Sequence, residues 1–312
     1  MKILVVGAGA TGGWYGARLA SAGRDVTFLV RPGRAALLAE RGLRLTGADD
    51  EVITPRTVTA AELDGPYDVV LVAVKALALE QAVEDIAPAV GPDTLVVPFL
   101  NGMAHVDTLT ARFGNRVLGG AIRIATTIGP DGEIVRLAPF ASLTVGELDG
   151  SDSPRVKELV AQLDGAGFDV ALSPTIVADL WNKWVFIATI GALNCLARGT
   201  VGEIVAEPGG AELGPALLAE AAAVAAAGGY PPPDAELANT AAMITRAGSS
   251  FASSMYRDVI AGLPTEVEPI LGDLVARARE LGVPVPLLEL ATLQLRVHQR
   301  RVEDRTHGAS TT

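Results

Sequence analysis

The run Lys2-Ile-Leu-Val-Val-Gly-Ala-Gly-Ala-Thr-Gly-Gly13 constrains the fold of this chain more than any other stretch. Ile3 to Val6 is β-branched and leucine-rich, Gly7, Gly9 and Gly12 follow in GxGxxG spacing, and Trp14 to Ala22 has the texture of a helix. A strand, a glycine turn and a helix in that order need glycine for three separate reasons. Gly7 makes the tight turn, Gly9 lets a pyrophosphate approach the backbone, and Gly12 lets the helix pack on the strand. The first helical amides, at Ala10 and Thr11, then face the anion. A second strand pattern at Asp25 to Val30 completes the unit. The expectation is a dinucleotide site, weighed against a glycine-rich loop that holds no ligand.

The end of the second strand bears on which dinucleotide. An NAD-specific site carries an acidic residue there, about 20 residues past the glycines, to hold the ribose hydroxyls. This chain has Leu29, Val30 and Arg31, with Arg34 close behind. Two arginines suit a 2′-phosphate, which favours NADPH over NADH; the plainer alternative is that both solubilise a loop.

Strand and helix patterns alternate up to about residue 100. Strands are expected at Val52 to Thr54, Val69 to Val74 and Leu95 to Pro98, with helices at Ala35 to Arg41 and Ala78 to Val90. Such alternation argues for a parallel, doubly wound sheet. Val117 to Thr127, Glu133 to Leu137 and Leu143 to Val145 are spaced by turns such as Gly129-Pro-Asp-Gly132, which suggests an antiparallel edge. A helix at Pro154 to Ala166 and a strand at Phe168 to Leu172 close this part. From Thr175 helical periodicity takes over, with helices expected at Trp181 to Ala197, Pro215 to Ala227, Ala235 to Ala261, Val267 to Leu281 and Pro286 to Arg301. The fold class is therefore α/β: a Rossmann-like doubly wound domain over 1–173, an all-α domain over 174–305, and a polar tail over 306–312 expected to be disordered. Two domains also suit a length of 312 residues.

Composition excludes several classes. A net charge of −11, with no basic stripe interleaved with aromatics, argues against nucleic acid. The single cysteine, Cys195, excludes an intrachain disulfide and a cysteine-rich metal site, and no histidine spacing suggests a metal. No continuous apolar run reaches the roughly 18 residues needed to span a bilayer. Met1 leads directly into a strand, which leaves no room for a signal peptide, so the expected location is cytoplasmic with no membrane partner. The apolar helices of the second domain leave room for a homodimer interface.

Candidate chemistry is sparse enough to take residue by residue. Lys75 ends the apolar strand at the carboxyl edge of the sheet, where open α/β sheets bind ligands; a solvated strand end is the alternative. Asn101 and Gly102 follow the next strand in the same position, and an ordinary Asn-Gly turn would explain them equally. Lys183 lies at the expected start of the most apolar helix, in Asp179-Leu-Trp-Asn-Lys-Trp-Val-Phe-Ile187. Desolvating a lysine eases release of its proton, as a general acid requires, although a lysine can also lay its stem along a helix start and keep its head in water. Ser249, Ser250, Ser253 and Ser254 fall at helical spacing, where small residues usually serve packing. Glu266 stands near the start of the next helix, where the helix dipole alone would favour it.

Taken together, these motifs resemble the ketopantoate reductases, or 2-dehydropantoate 2-reductases, nearly end to end. The resemblance rests on Gly7-Ala-Gly-Ala-Thr-Gly12, Val74-Lys75-Ala76, Asn101-Gly102, Trp181-Asn-Lys183, Ser253-Ser-Met-Tyr-Arg-Asp258 and Pro264-Thr-Glu266. It implies an NADPH domain, a helical domain and an active site between them. It further implies that Lys183 is the general acid, that Glu266 and Ser254 hold the substrate or the lysine, and that Asn101 and Lys75 line the nicotinamide side. Three positions depart from the family's pattern. Family members that act on ketopantoate usually carry asparagines where this chain has Ile187, Gly191 and Phe251. Asn194 is the amide left to compensate, although off the expected register. The implied activity is NADPH-dependent reduction of a 2-oxo acid, ketopantoate being the family's substrate. The alternatives are a bulkier or less polar carbonyl substrate, or an NADPH-binding sensor without catalysis.

Overall fold

Every residue from Ile3 to Val6 is apolar, so neither face of their strand can be left to water. In the computed structural model, which describes residues 1–309 with side chains to 305, that strand is flanked on both edges and all four residues are buried. β1 (Lys2–Val6) leads to α1 (Ala10–Ser21), β2 (Asp25–Leu29), α2 (Pro32–Arg41), β3 (Leu43–Gly47), β4 (Glu51–Ile53) and β5 (Arg56–Val58). Then come β6 (Val69–Val72), α3 (Leu79–Ile86), β7 (Leu95–Pro98), α4 (Ala104–Phe113), β8 (Leu118–Ile128), β9 (Ile134–Glu147), α5 (Pro154–Leu163) and β10 (Asp169–Leu172).

The first sheet has the order β5-β2-β1-β6-β7 and every pair is parallel. The chain builds outward from β1 to β5 and then returns to the far side of β1, so the order reverses between β1 and β6. A crevice at the carboxyl ends of such a pair is the usual ligand position in this fold. Strand alternation sorts the core. Ile3 and Val5 pack with Trp14, Tyr15 and Leu19 of α1, whereas Leu4 and Val6 pack with Val83 and Ile86 of α3 on the opposite face.

The expected antiparallel edge is in fact a second, mixed sheet, β10-β9-β3-β4 with β8 on β9. The two pieces read as Glu133 to Leu137 and Leu143 to Val145 form one 14-residue strand. A register shift beside Ile124 and Thr126 accommodates the stretch containing Pro139, which has no N–H for the ladder. β3, β5, α4 and α7 have no counterpart among the elements expected from the sequence; β5, at three residues, and α7, at five, are too short to show a period.

The rest is helical: α6 (Ile176–Ala197), α7 (Val201–Val205), α8 (Gly210–Ala227), α9 (Asp234–Ile244), α10 (Ser254–Ile260), α11 (Asp273–Glu280) and α12 (Pro286–Ala309), with a π-helical turn at Glu268–Gly272. The described residues divide into two compact units, 1–100 with 105–177, and 101–104 with the chain from 178 onward. The division falls inside α6, a few residues past Ser173-Pro174. Three expectations are corrected here. The helix expected over Ala235 to Ala261 is two helices, because Gly248 takes a left-handed φ of +68° between them and Ser253 caps the second; Ser249 and Ser250 lie in the link. α6 begins at Ile176, so Lys183 sits two turns into the helix instead of at its start. α12 continues to Ala309, so the backbone of 306–309, expected in a disordered tail, is helical, and Ser310 to Thr312 lie outside the described residues.

Two helices, Ile176–Ala197 and Gly210–Ala227, are long and apolar enough to cross a membrane by length and composition, although polar residues interrupt both. The first is the core helix of its unit, with 61% of its most apolar window buried.

Candidate active site

Local packing accounts for two of the three glycines of the turn. Gly7 has φ +95°, and a Cβ there would stand 3.1 Å from the Ala73 carbonyl oxygen. At Gly12 it would stand 2.3 Å from the Gly7 oxygen and 2.6 Å from the Ala73 Cβ, so α1 approaches β1 and the end of β6 closely only because Gly12 has no side chain. Gly9 differs from both. A Cβ there would meet nothing within 4 Å, so the protein's own packing does not require glycine at this position. Open space over Gly9 is what a group lying against the backbone needs. α1 has no side-chain cap and no acidic residue in its first turn, which leaves its leading amides, at Ala10 and Thr11, without an intramolecular acceptor at the cap. The residues present thus fit a pyrophosphate.

Arg34 reaches back to this turn, its Nη2 donating to the Ala8 carbonyl oxygen at 3.1 Å. Partial burial pulls its guanidinium below the ordinary arginine pKa, yet an arginine remains charged at neutral pH. Arg31 is the exposed, extended residue that leads into α2 at Pro32, whose fixed φ starts the helix. Two cations therefore flank the carboxyl end of β2. Lys75 is exposed and stands three residues beyond the end of β6, which stops at Val72 where Ala73 begins to pack against the glycine turn.

The second unit assembles a different constellation. Asn101 to Ala104 follow β7 in sequence and belong to this unit. The Asn101 Nδ2 donates to Glu266 Oε2 at 3.2 Å, joining residues 165 positions apart. Gly102 makes this approach feasible. It adopts φ +79°, and a Cβ there would lie 2.1 Å from the Pro269 carbonyl oxygen, so only glycine allows the segment this close to the π turn. Glu266 is half-buried immediately before the helical turn that starts at Val267. Its loop is pinned from α12, where His298 Nε2 bonds the Leu263 carbonyl and Gln299 Oε1 accepts from the Thr265 N–H.

The π turn also anchors α6. The wider hydrogen-bond spacing of a π turn leaves carbonyls in need of other donors, and the buried Trp184 Nε1 donates to the Ile270 carbonyl oxygen at 2.8 Å. Lys183, half-buried and next to that tryptophan in sequence, is thereby fixed on the helix tied to the turn that follows Glu266. Arg277 lies over the rings of Trp181 and Trp184, which are themselves 4.9 Å apart. Trp184 and Pro269 are not among the residues singled out from sequence. The phrase Asn101-Gly102 was visible, but nothing local shows which backbone its glycine must meet.

Ser254 and Asn194 separate on inspection. Ser254 is exposed at the first position of α10, while Ser253 is the buried cap whose oxygen accepts from the Tyr256 N–H at 3.1 Å. Asn194, expected to contact substrate, is wholly buried. Its Nδ2 donates to the Gly199 carbonyl and its Oδ1 accepts from the Ser253 N–H, at 2.8 and 2.9 Å. Register is not the obstacle, because eleven residues return a helix to the face of Lys183. Burial is: both ends of the amide brace backbone. Cys195 is buried, and that burial pushes its thiol up to about 12, so it stays protonated as a small core residue.

Residues 3–150 match the ketopantoate reductase PanE/ApbA family, and residues 175–299 match the C-terminal domain of the same family. The chain belongs to the ketopantoate reductases. Within that relationship it is 34% identical over 301 residues to YkpB of Bacillus subtilis (strain 168), an uncharacterised oxidoreductase, covering 96% of this chain and 99% of that one. The crystal structure of a PanE/ApbA family ketopantoate reductase from Ralstonia eutropha JMP134 superposes with a TM-score of 0.87 at 26% identity, covering 97% of this chain and 100% of that one. D-mandelate dehydrogenase, solved with NADH and anilino(oxo)acetate, shares the fold at a TM-score of 0.86 and 21% identity, covering 97% and 99%. Membership makes this protein an oxidoreductase of the ketopantoate reductase type, with the Rossmann-like sheet and helical unit of that fold.

Proposed function

We propose that this chain is an NADPH-dependent reductase that converts a 2-oxo acid to the 2-hydroxy acid. The observation that carries the proposal is the Asn101–Glu266 hydrogen bond, held by a glycine that fits against Pro269, on the π turn that also fixes the helix of Lys183. A carboxylate held by a neutral amide, beside a turn tied to the helix of a half-buried lysine, is a group set up to work on a ligand. A purely structural pair needs no such arrangement.

In this reading Gly7, Gly9, Ala10, Thr11 and Gly12 receive the pyrophosphate, Arg31 and Arg34 the 2′-phosphate, and Lys75 with Asn101 the nicotinamide side. NADPH, when bound, supplies the hydride that adds to the substrate's carbonyl carbon. Negative charge then develops on the carbonyl oxygen. Lys183, as ammonium, stabilises that charge and gives it a proton, leaving a 2-hydroxy acid and a neutral lysine that solvent reprotonates. Glu266 orients the lysine, Asn101 fixes Glu266, and Ser254 offers its hydroxyl to the substrate's carboxylate. The family assignment supports this chemistry, and the open backbone at Gly9 supports the cofactor.

Lys183→Ala is expected to lower kcat by at least about a hundredfold, as loss of a general acid does, with the NADPH Kd near that of the wild type. A variant with undiminished turnover would remove Lys183 from the mechanism. Tight NADPH binding without turnover of any 2-oxo acid by the wild type would point to a sensor instead.

A further inference from the structure

The helix that carries Lys183 also carries an apolar strip. Phe186, Ile187, Ile190, Gly191 and Asn194 stand three, four, seven, eight and eleven residues beyond the lysine, the spacing of one helical face. Ile190 and Asn194 are buried, whereas Phe186 and Ile187, next to Lys183, are only half-buried. Phe251, in the link between α9 and α10, stands 6.3 Å from Phe186 ring to ring and keeps 38% of its surface exposed. At Gly191 the space for a side chain is taken by the Met255 methyl, 2.9 Å from where a Cβ would be. The one amide on the strip, Asn194, is wholly buried, its nitrogen bonded to Gly199 and its oxygen to Ser253. Beyond Lys183, then, this face presents aromatic and branched surface, and none of its side chains has a hydrogen bond to offer a ligand.

Resting on the reductase reading above, we propose that Phe186, Ile187 and Phe251 form the subsite for the substrate's side chain. The substrate class is therefore 2-oxo acids whose carbonyl carbon bears an apolar, branched or aromatic group, not a hydroxylated one. The reason is desolvation. A hydroxyl brought against this strip leaves water and gains no partner, whereas a methyl group in its place loses nothing and covers exposed ring surface.

A matched pair of compounds tests this: 2-dehydropantoate, and 3,3-dimethyl-2-oxopentanoate, in which a methyl replaces the hydroxyl. With NADPH and the wild-type chain, kcat/KM should favour the methyl compound by about tenfold or more, the scale of discrimination an apolar pocket achieves. Phe251→Asn should pull that ratio towards one, and Phe251→Leu should keep it high. The urea midpoint of unfolding followed by far-UV circular dichroism, dominated by the helices, reports whether each variant is folded. A wild-type preference for the hydroxylated compound, or a ratio indifferent to Phe251→Asn, would overturn the subsite and leave the reductase standing. Turnover of neither compound, nor of phenylpyruvate, with NADPH bound would overturn the reductase reading and the subsite with it.

Discussion

Gly102→Ala probes whether the close approach at Pro269 positions the candidate site. Two costs are separable. At φ +79° an alanine is strained by about 1–2 kcal/mol from the left-handed backbone alone. Its Cβ would also lie 2.1 Å from the Pro269 oxygen, against about 3.3 Å for an ordinary carbon–oxygen contact. The segment must therefore retreat by about 1 Å, and overlap of this kind adds about 1–3 kcal/mol. Such a retreat carries the Asn101 amide, now 3.2 Å from Glu266, out of hydrogen-bonding range. A misplacement of that size in a reacting constellation lowers rate by about a hundredfold. Gly114→Ala is the control, since Gly114 has φ +61° and open space where its Cβ would go. It should lose only the backbone strain and keep wild-type turnover. Urea unfolding gives the stability difference, and kcat with NADPH and a 2-oxo acid gives the functional one. Equal destabilisation in the two variants, with turnover intact in both, would refute the argument that contact with Pro269 holds Asn101 in place.

Three further expectations follow from other contacts. Trp184→Phe removes the buried donor to the Ile270 carbonyl and should lower unfolding free energy by about 1–3 kcal/mol, read as a shifted urea midpoint; a midpoint unchanged within error would mean the π turn holds without it. Arg31→Ala with Arg34→Ala should weaken NADPH binding by tenfold or more, about the loss expected for charge-assisted phosphate contacts, with NADH little affected; calorimetry of both cofactors decides, and equal losses would assign the arginines to the turn alone. Glu147 is held below the usual carboxylate range by its hydrogen bond from Arg155, against the opposing effect of burial. A depressed carboxyl contributes stability above its unfolded pKa, about 4.3, and loses it as pH falls through the lower folded value. The Tm gap between wild type and Glu147→Gln should accordingly shrink below about pH 4, and a gap that widened there would contradict the sign.

How much of this was readable in advance depended on how far apart the deciding atoms lie. The glycine turn, the buried strand β1 and the cations after β2 are local matters, settled within a few residues by strand alternation, backbone sterics and charge. Lys183 stands out as a lysine in an apolar helix, whereas its place two turns into α6 depends on the start at Ile176, which Thr175, an N-cap residue type, precedes. The serine cluster misled because spacing alone cannot reveal the break at Gly248.

What the sequence determined by itself, then, was the glycine turn and the character of its surroundings, since chain stereochemistry fixes these wherever the segment lies. Tertiary structure decided who partners whom. It set Asn101 on Glu266, gave the Ile270 carbonyl to Trp184, and withdrew Asn194 into the core. Buried polar groups must be satisfied, and which groups meet is chosen by packing between segments that the chain order leaves far apart.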